Sequence, residues 1–348
     1  MKDGWLFKDV DVSEKQLFLL YPGVLEKLLE DHASNKHIYW ATDSYSDRGK
    51  GYDFFDEITI NKVSGENDGV IRPRALKSKE ERTARTKNKA EVFTPSWICN
   101  CQNNLVDDLW FGQSGLFNSE DNQTKSWTTN TAKIPFPTQK GKHWQDYVCE
   151  NRLEITCGEA PYLASRYDTT TGLSIPVYDR IGLLDRKLRV VGENVKNMDD
   201  WFLWAFAALK GTYGYEWQGD SLLLARESVL LTFVDYHQDF ALKCGLDSSL
   251  PSRSHLLHAA EIISWNLFQM DGLKMVLPMT CKEVAVQEPL SLFDEPRVKY
   301  MPCPGCKNED YHTHNGIKQI VADWQKDKWS TDEKPIEIVE FHTLLEYK

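Results

Sequence analysis

Two acidic residues, each ending a short apolar stretch and followed by a helical one, are the groups in this chain best placed to do chemistry. In RLEITCGEAPYL (152–163) the apolar stretch ends at Glu154 and runs through Thr156, Cys157, Gly158, Glu159 and Ala160 into a helix. Small residues such as Gly158 and Ala160 let backbone N–H groups approach a ligand closely, and a helix N-terminus adds positive potential there. In TYGYEWQGDSLLLARESVLLTFVDY (212–236), Glu216 closes a strand just before Trp217, and LLLARESVLLTF has helical spacing. In nucleotide-binding doubly wound folds an acid at that position accepts hydrogen bonds from ribose hydroxyls. A charge-assisted bond of this kind contributes about 1.5–3 kcal/mol. A third acid, Asp271 in AEIISWNLFQMDGLKMV (260–276), precedes Gly272 and Leu273 at the end of a possible strand, where it can accept from an exocyclic adenine amine. Each feature also has a plainer reading: small-residue turns are common at strand-to-helix junctions, strand ends carry surface acids, and Asp-Gly is ordinary turn chemistry.

A different chemistry is suggested by Cys303-Pro304-Gly305-Cys306 with His312 and His314 behind it. Two cysteines at this spacing form the knuckle of a structural zinc site, and Gly305 eases the turn. The two histidines stand closer together than zinc sites usually place them, so a reduced loop with idle cysteines is the other reading. A bound ion would contribute on the order of 10 kcal/mol to folding this sparse part of the chain.

These residues need a scaffold, and composition says which kind. The 348 residues suffice for one large domain or two modest ones, with 41% apolar and 27% charged side chains, the balance of a globular fold. Apolar runs fall short of a membrane span, and MKDGWLFKDVDVSEK has no signal-peptide pattern, so a cytoplasmic protein without membrane contact is expected. In that compartment the eight cysteines read as thiols or metal ligands rather than as a disulfide framework. The formal net charge of -11 argues against a protein that coats nucleic acid non-specifically.

Three regions follow. Residues 1–89 form a small α+β region: QLFLLYPGVLEKLLEDHA is helical by spacing, and HIYWAT and DEITIN read as strands. This region ends in a basic stretch, with Arg72, Arg74, Lys77, Lys79, Arg82, Arg85, Lys87 and Lys89, that is either a solvated helix face or a phosphate-contacting segment. Over 90–280 strands and helices alternate as in a parallel sheet covered on both faces. Residues 281–348 are less regular, with the cysteine-rich loop and two short apolar stretches, QIVADW and IEIVEFHTLL.

With EVFTP at 91–95 placed ahead of these motifs, the chain resembles the adenine-type DNA methyltransferases of restriction-modification systems, particularly the large bacterial modification subunits. There a Phe-Thr-Pro motif helps to hold the methionine end of S-adenosylmethionine, which implies that role for Phe93, Thr94 and Pro95. The family's cofactor motif is similar to Glu154 through Leu163, with Ala160 where a second glycine is usual and Glu159 adding a negative charge close to the cofactor. The second motif is similar to Tyr213 through Arg226 and the third to Asn266 through Leu273. The resemblance implies a Rossmann-like α/β core that binds S-adenosylmethionine through Phe93, Thr94, Pro95, Glu154, Thr156, Cys157, Gly158, Glu159, Ala160, Glu216, Trp217, Asp271 and Leu273.

An adenine methyltransferase must also flip its target base out of double-stranded DNA and hold it. The family does so with an Asn/Asp-Pro-Pro-aromatic loop at the end of the fourth strand, and no such tetrapeptide occurs in this chain. The nearest substitute, Ala322-Asp323-Trp324, lacks both prolines. No residue is therefore expected to be catalytic. The expectation is an incomplete sheet whose catalytic loop sits on a second subunit, with the chain inactive by itself. A non-catalytic interaction or DNA-binding protein with a methyltransferase-like fold is the alternative.

Overall fold

The alternation in Thr212–Glu216 buries Thr212, Gly214 and Glu216 on one side of a strand that lies at the centre of a three-stranded parallel sheet. Arg152–Glu154 pairs on one side of it, with Leu153 opposite Tyr213. On the other side lies Leu267–Gln269, with Phe268 opposite Tyr215. The protein is thus mixed α/β, with this sheet and several two-stranded antiparallel ribbons. The computed structural model describes residues 10–89, 94–247, 249–287, 298–324 and 337–345. Among them, no helix is long and apolar enough to cross a membrane.

Parallel strands need long crossovers, and helices supply them. Leu183–Asn194 and Met198–Lys210 lead from the first strand to the second, and Gly219–Lys243 and Arg253–Asn266 from the second to the third. Gly219–Lys243 carries Leu222, Leu223, Ala225, Val229, Leu230 and Phe233 on all its faces, and all are buried. A helix that is apolar all round belongs inside, and this one is the axis of the main hydrophobic core. Its first residue must be small: a Cβ on Gly219 would lie 2.1 Å from the carbonyl oxygen of Tyr39. There the N-terminal region closes on the sheet, and the Gly219 amide donates to the Trp40 carbonyl at 3.0 Å.

Buried polar side chains pin the strand ends. The ammonium of Lys187 donates to the carbonyls of Glu150 and Gly211, holding the starts of the first two strands level. Asn266 donates to the carbonyls of Leu209, Lys210 and Thr212 and accepts from the indole of Trp324. Trp324 is only 1% exposed, within the main core. The Ala322-Asp323-Trp324 stretch is therefore a core strand with its continuation, and its ring cannot serve as a stacking surface for a flipped base.

Local pattern was misleading at two other places. The DEITIN alternation makes a single bridge, Tyr39 with Glu57, and then turns helical at Ile60–Val63. The EIISWN stretch, expected as part of a strand, completes the Arg253–Asn266 helix, and the strand occupies only Leu267–Gln269. Continuous apolar runs fit a buried helix as well as a buried strand, and tertiary packing chose the helix here.

Candidate functional site

The first parallel strand ends in a turn where Thr156, Gly158 and Ala160 all have positive φ, at 46°, 54° and 59°. Glycine adopts this region freely, whereas a β-branched threonine and an alanine are held there only by their surroundings. The surroundings are visible. The Cys157 amide continues the sheet ladder by donating to the Tyr215 carbonyl at 2.8 Å, and the Ala160 amide donates to the Cys157 carbonyl at 2.7 Å. The Cys157 thiol packs into the core against Gly214, and burial pushes its pKa well up, so it is not a nucleophile.

Two carboxylates lie under this turn. Glu154 accepts the amides of Tyr162 and Leu163, at 3.3 and 3.1 Å. Glu216, at the end of the second strand, accepts the Gly158 amide at 2.8 Å and the Gln218 amide at 3.2 Å. Burial raises the pKa of both groups, and the charge of Glu216 raises that of Glu154 further. Their hydrogen bonds come from backbone amides, and neither has an ion-pair partner among the described residues. A site with two such carboxylates favours a cationic guest.

Above the turn opens a cavity of ≈ 1110 Å³, large enough for a nucleoside-sized ligand. Thr94, Glu154, Thr156, Cys157, Gly158, Glu216 and Trp217 line it. Phe93 lies outside the described residues. Pro95 is not in the wall and instead stands at the N-terminus of the Ser96–Phe111 helix.

Glu159, Ala160, Asp271 and Leu273 also stand outside the cavity wall. Glu159 is buried facing the N-terminal region, accepting from the Arg74 amide and the Tyr167 hydroxyl at 2.6 and 2.7 Å. Ala160 is fully buried below the turn. Asp271 lies outside the cavity wall: one of its oxygens accepts the amides of Leu273 and Lys274, the Asx geometry that closes a tight turn. Leu273 is 89% exposed and faces solvent.

Other wall residues carried no sequence signal. Ala41 and Phe54 come from the N-terminal region and Gln102, Asn103 and Val106 from the Ser96–Phe111 helix. The Trp217 indole donates to the Ala41 carbonyl at 3.2 Å, and Trp217 and Phe54 belong to one apolar cluster with Tyr39 and Leu277. Two aromatic side chains, Trp217 and Phe54, thus share the cavity wall with Glu216. Only the fold brings residues 41, 54 and 217 together.

No protein-family model matches the chain, and no curated protein or solved structure matches it either. What the site does must follow from its own geometry.

The Ser96–Phe111 helix that roofs the cavity is anchored at both ends. Arg186 bonds Asp107 at 2.6 Å and also Asn100 and Asn104, while the Tyr147 hydroxyl donates to Asp107. At the other end Asp168 accepts the Ser96 amide at 2.7 Å, capping the helix. Partial burial works against ionisation of Asp168, but hydrogen bonds from Thr170, Ser96 and Thr171 prevail and lower its pKa from 3.8 to about 2. A carboxylate with a depressed folded pKa adds stability above its unfolded value and loses it as pH falls through the folded one. Between about pH 4 and pH 2 the wild type is therefore expected to lose more stability than Asp168→Asn, as read from thermal melts at stepped pH. Parallel curves would refute the cap.

The basic stretch is divided. Arg85 pairs with Asp220 at 2.8 Å and Lys77 approaches it at 3.9 Å, with all three side chains buried at the start of the Gly219–Lys243 helix. Although complete burial opposes it, these cations hold the Asp220 carboxyl below its usual range. Lys77 and Arg85 are thus internal and belong to neither a solvated face nor a phosphate-contacting segment. Lys87 reaches the main cavity, and Arg74, Lys79 and Arg82 border a separate shallow hollow.

The cysteine and histidine residues also sort differently. Cys303, Cys306 and His314 converge with Cys281, while His312 lies outside the group with its ring against Tyr311 and His342. Cys281 precedes the knuckle by too long a stretch for spacing to reveal it.

Proposed function

We propose that this chain is the S-adenosylmethionine-binding part of a DNA adenine methyltransferase with a Rossmann-like core. The observation that carries the reading is Glu216, a buried acid at the C-terminal end of the central parallel strand, bonded to Gly158 in the turn after the neighbouring strand. In this arrangement Glu216 would hold the ribose hydroxyls through its remaining lone pairs. Trp217 and Phe54, which both line the cavity, would hold the adenine. Thr94 would hold the methionine end, and Glu154 and Glu216 would offset the sulfonium and ammonium charges. Bound there, the cofactor supplies an electrophilic methyl group.

The chain's own residues bind and orient the cofactor. The loop that presents the target adenine comes, in this reading, from a second polypeptide. The free edge of the Arg152–Glu154 strand supports that assignment, since no other strand pairs with it among the described residues. Exposed apolar side chains follow it at Ile155 (63%) and stand at Leu105 (68%) and Leu109 (86%) on the Ser96–Phe111 helix, whose Val106 shares the cavity wall with Leu153 and Ile155. An open apolar edge is a template for an added strand. That strand would bring an Asn/Asp-Pro-Pro-aromatic loop to the mouth of the cavity, with double-stranded DNA held between the two chains.

Calorimetric titration with S-adenosylmethionine and S-adenosylhomocysteine tests the reading, with one site per chain expected for each. If neither ligand binds at millimolar concentration, the reading fails and a non-catalytic interaction protein becomes the better account. For the partner, the test is the product of an adjacent reading frame that encodes a strand followed by the Pro-Pro loop. Leu105→Asp with Leu109→Asp is expected to abolish its co-purification while cofactor titration stays unchanged. Undiminished co-purification would rule out this edge as the docking surface.

A further inference from the structure

Cys281, Cys303, Cys306 and His314 bring their ligand atoms within 4.8 Å of one another. The three sulfurs lie 3.5, 3.4 and 3.6 Å from Nδ1 of His314. Zinc–sulfur bonds of about 2.3 Å and a zinc–nitrogen bond of about 2.0–2.1 Å at tetrahedral angles require sulfur–nitrogen edges of about 3.5–3.6 Å. The three separations therefore match the sulfur–nitrogen edges of a zinc tetrahedron. We infer that these four residues bind one structural Zn²⁺ per chain.

The surrounding backbone has the form of a built site. The Cys306 amide donates to the Cys303 sulfur at 3.3 Å, as in a metal knuckle, and this bond also offsets thiolate charge. The turn requires glycine at its tip, because a Cβ on Gly305 would lie 2.6 Å from the His314 ring. Two further contacts fix the segment of Cys281 against that of His314. Asn315 and Lys282 exchange side-chain and backbone hydrogen bonds at 3.0 and 2.8 Å, and the Leu277 amide donates to the Ile317 carbonyl at 2.8 Å.

The donor set decides the ion and its role. Three thiolates and one imidazole in a tetrahedron suit zinc rather than magnesium or calcium. All four positions are filled by protein, so no place is left for a reacting water, and the site is structural. Its effect is to clamp the segment after the third parallel strand to the C-terminal part of the chain. That segment includes Pro278, whose carbonyl accepts the Tyr39 hydroxyl at 2.5 Å. Through Tyr39 the clamp reaches the wall that carries Ala41. This inference stands independently of which ligand the main cavity takes.

The test is metal analysis of the full chain expressed with zinc and purified without chelators. One zinc per chain is expected, with His312→Ala retaining it and Cys281→Ser or Cys306→Ser retaining at least tenfold less after chelator challenge. Because a cysteine variant can lose metal simply by misfolding, metal-stripped wild type is also titrated with Co²⁺. A tetrahedral visible spectrum with thiolate charge-transfer absorption, bleached by added Zn²⁺, is expected. Zinc well below one per chain together with a featureless cobalt spectrum overturns the assignment. So does metal retained in Cys281→Ser but lost in His312→Ala.

Discussion

Replacing Arg226 with methionine is expected to lower the free energy of unfolding by about 3–5 kcal/mol, among the largest effects a single substitution produces. The guanidinium is completely buried in the N-terminal half of the Gly219–Lys243 helix. It donates to the carbonyls of Leu28 and Glu30 at 2.6 and 2.8 Å, of Ser264 at 3.1 Å, and of Leu267 twice, at 2.9 and 2.7 Å. One side chain thereby ties the end of an N-terminal helix, the last turn of the Arg253–Asn266 helix and the start of the third strand to the core. Burial lowers its pKa to about 10, partly offset by Asp31 and Glu30, so it stays charged at neutral pH. Methionine preserves much of the volume but leaves four buried carbonyls without this donor, at about 1 kcal/mol or more each. Lysine should rescue only partly, because a single ammonium cannot reach carbonyls on three elements. Urea titration is the measurement: the midpoint should fall with the slope unchanged. A loss below about 1 kcal/mol would show that the N-terminal helices are not held through this residue.

The second large effect concerns the ligand. Under the proposed function, Glu216→Gln keeps the size of the side chain but replaces a charged acceptor with a neutral one. S-adenosylmethionine affinity is then expected to fall about 10–150-fold, the equivalent of about 1.5–3 kcal/mol. The pH dependence carries an independent signature. Burial raises the Glu216 pKa above 4.5 despite the bonds from Gly158, Gln218 and Trp217. Since the unfolded chain ionises first, the group's contribution to stability is fully present below the unfolded value and is lost as pH rises through the folded one. Ribose hydroxyls bond the ionised form, so cofactor affinity should climb over that same interval, with protons released on binding at its acid side. Glu216→Gln should remove the dependence as well as the affinity. Equal affinities and equal pH profiles for wild type and variant would take Glu216 out of the site.

The turn at 154–160 and the acid at 216 could be read from the chain because their signals are local. A strand-to-helix junction with small residues, or an acid at a strand end, needs only neighbours in sequence to be visible. Asp271 shows how far such reading reaches: an Asp-Gly pair after an apolar stretch is as good a turn former as a ligand acceptor. The Leu273 and Lys274 amides take up its oxygen. Arg85 shows the converse, since a residue read as part of a charged surface turns inward to neutralise Asp220. Helical spacing does not say which cation faces a buried acid far along the chain.

By itself, then, the sequence determined the kind of structure, a mixed α/β fold, together with the two acids that end at the cavity and the knuckle at Cys303 and Cys306. Only the tertiary structure decided that Ala41, Phe54 and Trp217 share a wall, that Cys281 completes the cluster in place of His312, and that Arg152–Glu154 has no outer partner strand among the described residues. The physical reason is distance along the chain. Periodicity and turn chemistry act over a few residues, whereas these juxtapositions arise where segments far apart in sequence bury their surfaces against the same core.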